Sequence, residues 1–250
     1  VWPDESYTLA QYQADANAAL AGIAARGALP LLVGGTGLYL RAVVDGLAIP
    51  QVPPDPALRA ALEAEAATHG PAALHQRLAA LDPVTAARID ARNPRRLIRA
   101  LEVCLVTGQP LSAQQGRRLT PYRPLWLGLT TERGALYGRA DARIAAMLAA
   151  GLVDETRALL ARGYAPTLPS MSSLGYREMC AYLRGELTLP AAIERFTFAT
   201  HAYIRRQLTW LRAEGRITWL DAADPLPAQV ARALALIRPW LAAARAPDPE

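Results

Sequence analysis

The stretch "LLVGGTGLYLRAV", Leu31 to Val43, decides how the rest of the chain is read. An apolar run stops at Gly34, Gly35 and Gly37, and apolar residues then resume at helical spacing. This is the form of a buried parallel strand, a tight turn and a helix. Sheets of the α/β kind place their ligands just past such strand ends. Glycine lets a backbone or a ligand come close because no Cβ intervenes, and Thr36 adds a hydroxyl. Yet no lysine follows the glycines, and their spacing is not the G-x-G-x-x-G of a dinucleotide loop. On spacing alone, a ligand loop and a turn that binds nothing stand level.

Working outward, residues 7–26 have helical periodicity that Gly27 ends. A second helix is predicted from Leu38 to Gly46, and the proline-rich "LAIPQVPPDP" after it marks a boundary. From Asp55 to Leu119 the pattern is helical, with no strand candidate. "PLWLGLT", Pro124 to Thr130, returns to a buried strand; helices follow at 133–162, 172–184 and 190–213. "GRITWLDA" is a last strand before a C-terminal helix, and no internal repeat is found. Strands separated by helices predict an α/β layered fold. Residues 1–52 and 122–250 are expected to form the core, and 53–121 a helical insert.

The 250 residues are 52% hydrophobic, enough for a substantial core, and carry a net charge of +5 with a pI near 9.5. That balance suits a polyanionic partner. All 27 basic residues are arginine, so no residue can serve as the lysine of a P-loop. No apolar run reaches the length of a membrane span and no basic-plus-apolar leader opens the chain, so a soluble intracellular protein is expected. Cys104 and Cys180 stand far apart without metal-ligand spacing and read as reduced core residues. The histidines, His69, His75 and His201, are scattered. No Ser/His/Asp set, carboxylate pair or metal-ligand cluster emerges, so neither a catalytic group nor a metal ligand is nominated.

Three further segments have the chemistry of an RNA surface. In "RNPRRLIRALEVCLVTGQPLS", Arg92 to Ser112, Asn93 and Pro94 suit a helix start. Leu97, Ile98, Leu101 and Leu105 are expected to face inward. Arg92, Arg96 and Arg99 form a stripe with Arg95 beside it, and only Asp90 and Glu102 are close acids. Such clustering is unfavourable unless an anion is expected, and guanidinium groups match phosphate bidentately. In "THAYIRRQLTWLR", Thr200 to Arg212, Thr197, Thr200, Ile204, Leu208 and Leu211 predict a buried stripe. His201, Arg205, Thr209 and Arg212 line the polar side, flanked by Arg206, Gln207 and Trp210. Cations interleaved with an aromatic ring suit single-stranded RNA. In "SMSSLGYREM", Ser170 to Met179, Ser172 or Ser173 is expected to cap a helix that presents Gly175, Tyr176 and Arg177. Each segment also has a bland alternative, a solvated charged face or a core tryptophan.

Taken together and in order, "LLVGGTGLYLRAVVDGL", "RRLIRALEVCLVTGQPLS", "MLAAGLVDETRALLARGY", "SSLGYREM" and "RRQLTWLR" resemble the tRNA dimethylallyltransferase family over nearly the whole chain. The resemblance implies a P-loop-NTPase-like, nucleotide-binding type of α/β core with a helical insertion domain, in a cytoplasmic monomer. It implies transfer of a dimethylallyl group from dimethylallyl diphosphate to N6 of adenosine 37, with Mg2+ on the leaving diphosphate. The adenosine would be flipped out of the anticodon stem-loop. By this likeness Thr36, Arg59, Arg95, Arg96 and Arg99 contact tRNA. So do Gly175, Tyr176, Arg177, Arg205, Arg206, Gln207, Thr209, Trp210 and Arg212. The opening loop then holds RNA, not diphosphate.

The departures are as specific. The family's P-loop and general-base aspartate are expected upstream of Val1, so the chain reads as N-terminally truncated and inactive alone. His201 stands where the family has an arginine on the diphosphate side; histidine is shorter and only partly charged at neutral pH. Two alternatives are a non-catalytic tRNA-binding module and an isopentenyltransferase acting on adenine nucleotides. The arginine-bearing insert disfavours the latter, since a mononucleotide offers that surface nothing to grip.

Overall fold

Thr8 starts the first helix by a reciprocal cap. Its hydroxyl accepts from the Gln11 N–H at 3.2 Å, while the Gln11 side chain accepts from the Thr8 N–H at 2.7 Å. This helix, α1, runs Leu9–Ala25, and α2 runs Gly37–Val44. Gln13 donates to the carbonyls of Ala42 (2.5 Å) and Leu47 (2.9 Å), tying α1 to the end of α2 and to the chain beyond it. That chain is β1 (Leu47–Ala48), which pairs antiparallel with β2 (Gly116–Arg117). The helices α3 (Pro56–His69), α4 (Pro71–Leu81), α5 (Pro83–Ala86), α6 (Pro94–Thr107) and α7 (Leu111–Gln114) lie between the two strands in sequence.

Helix α6 is the centre of this group. The Asn93 side chain accepts from the Arg96 N–H, Pro94 takes the first turn, and Gly108 closes the helix in the left-handed conformation. Its inward side buries Leu97, Ala100, Leu101 and Cys104 against Leu62 of α3 and Leu74 and Leu78 of α4. Leu105, predicted to face inward, is 37% exposed. The helical turn of 3.6 residues carries the buried stripe from Leu101 to Cys104 instead.

The computed structural model describes residues 1–245, and the chain divides into two compact units. Residues 7–122 make one; Val1–Ser6 and the residues from Arg123 onward make the other. The sequence-based division placed residues 1–52 with the second group. Here 7–52 group with the helical segment: Gln13 holds α1 to β1, while β1 pairs with β2 and the Thr120 hydroxyl donates to the Val44 carbonyl at the segment's far end.

In the second unit β3 (Trp126–Thr130) and β4 (Ile217–Asp221) form a parallel pair, Trp126 opposite Ile217 and Thr130 opposite Asp221. Around them lie α8 (Arg133–Ala149), α9 (Leu152–Ala161), α10 (Tyr176–Leu183), α11 (Leu189–Arg212) and α12 (Leu226–Arg245). Their core holds Ile144, Leu152, Met179, Ala192 and Phe196. The single helix predicted over 133–162 is two, because Gly151 sits at φ 98° and ends α8. Both cysteines are buried and unbridged, as expected.

The sequence reading of strands fails at two places. Residues 28–35 form no strand, and Leu31 and Val33 are 73% and 91% exposed. A strand is completed by a neighbouring strand, and both two-stranded sheets of the described residues are formed by other segments. Conversely β2 lies inside the stretch read as strandless, because a two-residue strand has no periodicity to detect.

Leu97 is fully buried at the junction of α3, α4 and α6. Leu97→Ala should destabilise the protein by about 2–5 kcal/mol, measured by urea unfolding. A smaller loss would mean the site collapses around the deletion.

Candidate nucleic-acid interface

The four arginines at the start of the α6 segment have different fates. Arg92 pairs with Asp90 at 2.9 Å, and both side chains are exposed. Arg99 turns the other way and donates to Glu102 at 2.6 Å and to the Val52 carbonyl at 3.1 Å. Arg95 and Arg96 are exposed and have no acidic partner among the described residues. Arg59 reaches the same carboxylate from α3 through two bonds of 2.8 Å. Arg59, Arg95 and Arg99 line a groove of about 680 Å³ with Glu63, Pro94 and Ile98.

Glu102 itself is fully buried and also accepts from the Asp55 N–H at 2.8 Å. Burial pushes its carboxyl up, but the bonds from Arg59, Asp55 and Arg99 more than offset this and hold it at about 2. Asp82 behaves alike: burial raises it, while Thr85 and Ser112 bring it down to about 2. It accepts from the Thr85 N–H (2.9 Å), the Ser112 N–H (2.7 Å) and the Ser112 hydroxyl (2.8 Å).

Thr36 stands at the start of α2 with its hydroxyl exposed and not used as a cap. Gly34 has no positive φ, and no other described atom lies within 4 Å of where its Cβ would be. Neither backbone conformation nor packing within the described residues requires glycine there. The room it leaves is open to an approaching molecule.

In the second unit α10 begins at Gly175, with φ 93° and the Phe196 ring 3.0 Å from where a Cβ would lie. The predicted serine cap is replaced by Glu178, three residues on, which accepts from the Gly175 N–H at 2.9 Å. Ser173 bonds back to the Ser170 carbonyl instead. Glu178 is buried and accepts from Arg177 Nε (2.9 Å) and Nη2 (2.5 Å). Tyr176 donates to Glu155 at 2.5 Å, which with burial pushes its phenol up to about 12.

Along α11, Ile204 is buried and Thr200, Leu208 and Leu211 half-buried, matching the predicted stripe. Arg206 and Arg212 are exposed, Trp210 is half-buried, and the Thr209 hydroxyl bonds back to the Arg205 carbonyl. Arg205 donates to the Tyr137 hydroxyl at 3.2 Å. His201 stacks on the Tyr137 ring at 4.0 Å and pairs through Nε2 with Asp141 at 2.7 Å. Tyr176 and Gln207 share a cavity of about 670 Å³ with Arg139, Arg143 and Tyr203. Sequence reasoning missed Asp141 and Tyr137, sixty or more positions from their α11 partners. It also gave Glu102 and Glu178 no role.

Among the described residues no group of three or more His, Cys, Asp and Glu side chains is arranged to hold a metal. Nor is any described helix long and apolar enough to cross a membrane.

The chain is thus a mixed α/β protein with an arginine-lined groove in one unit and a mainly apolar hollow, edged by Arg139 and Arg143, in the other. Its residues 1–214 match the family model for IPP transferase, and the chain belongs to that family. It is 57% identical over 210 residues to a tRNA dimethylallyltransferase of Chloroflexus aggregans, covering 84% of this chain and 71% of that one. A tRNA dimethylallyltransferase of Thermomicrobium roseum is 49% identical over 223 residues, 89% of this chain and 68% of the relative. A crystal structure of a tRNA isopentenylpyrophosphate transferase from Bacillus halodurans superposes with a TM-score of 0.65 at 37% identity. That match covers 94% of this chain and 74% of that one. The fold likeness agrees with the predicted α/β class.

Because Glu102 and Asp82 are held below their ordinary 4.5 and 3.8, their stabilisation is present above those values and lost toward about 2. The helical signal of the 7–122 unit should therefore weaken between about pH 4.5 and pH 2. Glu102→Gln should flatten that fall in a circular-dichroism acid titration. An unchanged profile would show that Glu102 does not govern it.

Proposed function

We propose that this protein acts in tRNA modification, transferring a dimethylallyl group from dimethylallyl diphosphate to N6 of adenosine 37. In that reaction the N6–C1 bond forms as the C1–O bond to diphosphate breaks, and a proton leaves the amine. The observation that carries the reading is the groove of Arg59, Arg95 and Arg99, beside an exposed Arg96 with no acidic partner among the described residues, in a chain matched to IPP transferase over residues 1–214.

The residues described above take parts in this reading. Arg95, Arg96, Arg99 and Arg59 grip anticodon stem-loop phosphates, to which guanidinium forks are suited. Thr36 and the open space at Gly34 meet the RNA near the reacting base. Gly175, Tyr176 and Arg177 make a second contact, and Arg205, Arg206, Gln207, Thr209, Trp210 and Arg212 a third. A base unstacked from the loop finds aromatic surface at Trp210. His201, which Asp141 and Tyr137 brace, is assigned in this reading to the diphosphate side. Magnesium belongs to this proposal as the counter-ion of the diphosphate. A cytoplasmic monomer is the form that suits work on tRNA.

Fluorescence anisotropy with a synthetic RNA hairpin matching an anticodon stem-loop tests the reading. Binding should weaken steeply with salt, and Arg96→Ala should lower the salt slope by roughly one unit for its lost phosphate contact. ATP, ADP and AMP should not compete. An unchanged slope would return Arg96 to an ordinary solvated face, and competition by free nucleotides would favour the adenine-nucleotide enzyme.

A further inference from the structure

Two buried glutamates, one in each unit, stand directly behind arginines assigned to RNA. Glu102 is fully buried and takes two bonds from Arg59 and one from Arg99. Glu178, 3% exposed, takes two from Arg177. In both, a backbone N–H occupies part of the carboxylate, Asp55 for Glu102 and Gly175 for Glu178. Each carboxylate is therefore fixed to the main chain, and the arginines are fixed to it.

The arginines are not buried with their partners. The Arg59 and Arg99 side chains are each 37% exposed and that of Arg177 is 58% exposed. A guanidinium carries five N–H donors in a rigid plane. Arg59 and Arg177 each spend Nε and Nη2 on the carboxylate, which leaves Nη1 outside the pair. Held along one edge, the plane keeps its other edge outside the pair; for Arg59 that is in the wall of the groove. An exposed arginine without such a brace must give up its rotamer freedom when it binds.

Resting on the RNA reading above, we infer that Glu102 and Glu178 are positioning residues that preset Arg59, Arg99 and Arg177 for RNA phosphates. They touch no RNA themselves. Charge alone makes the opposite demand: a carboxylate beneath a phosphate site repels the ligand, so its neutralisation would tighten binding. The two roles differ in sign.

The test uses the full chain and the same synthetic hairpin. Glu102→Gln should weaken binding roughly tenfold and Glu178→Gln roughly threefold, the loss expected for releasing two arginines and one. In a background of Arg59→Ala with Arg99→Ala, Glu102→Gln should have no further effect on affinity; the same holds for Glu178→Gln with Arg177→Ala. A merely structural glutamate would give penalties that persist in those backgrounds. If Glu102→Gln loses the helical circular-dichroism signal, Glu102→Asp, which keeps the charge but shortens its reach, takes its place with the same expectation. Unchanged or tighter binding by the glutamate variants overturns the inference. If Arg95→Ala and Arg96→Ala are also without effect, the RNA reading has failed too; if they weaken binding, only the positioning role is lost.

Discussion

The bond set around Glu102 decides both how one unit is put together and where its positive charge sits. A fully buried carboxylate is unfavourable unless every lone pair is answered. Here the answers come from the backbone at Asp55, from Arg59 on α3 and from Arg99 on α6. Arg99 in turn holds the Val52 carbonyl, so the segment leading into α3 is clamped to α6 by the same group. The leucines of α3, α4 and α6 supply the bulk of the burial, but they are non-directional. The carboxylate fixes which faces of α3 and α6 meet.

That constraint also sorts the arginines. A net charge of +5 says little about where a polyanion would bind. The useful distinction is between cations already neutralised locally, such as Arg92 against Asp90, and those left open, such as Arg95 and Arg96. Arg59 and Arg99 fall between the two, held by a shared carboxylate yet facing a groove. Exposed pairs of the Arg92 kind are worth little. The pattern in this unit comes from the buried carboxylate with its two arginines and from the open cations.

Much of the helical content was legible because its signals are local. Thr8, Asn93 with Pro94, and Gly108 each act within four residues of the helix end they define. The same holds for Glu178, whose position three residues after Gly175 is a readable capping signal, although serine was chosen in its place. What was not legible is relational. Arg99 and Glu102 sit one helical turn apart, but Arg59 lies 43 positions from that carboxylate and no pattern joins them. His201 and Asp141 are 60 apart. The segment around Leu31 has strand composition, but pairing is a property of two segments. Of the arginine stripe expected on one helix, Arg92, Arg96 and Arg99, only Arg99 lines the groove, and no periodicity shows that Arg59 of α3 stands across from it.

The β3–β4 pair has a consequence for how the second unit comes together. Its strands are parallel and adjacent in space, yet four helices, α8 to α11, separate them along the chain. Closing so wide a loop is entropically slow, and contacts of this kind delay folding. During synthesis the helices can coil as they emerge, but Trp126 must wait for Ile217 before the ribbon can zip. Until then β3 lacks the one strand that pairs with it among the described residues, a period in which a chaperone or an unwanted neighbour can reach it first.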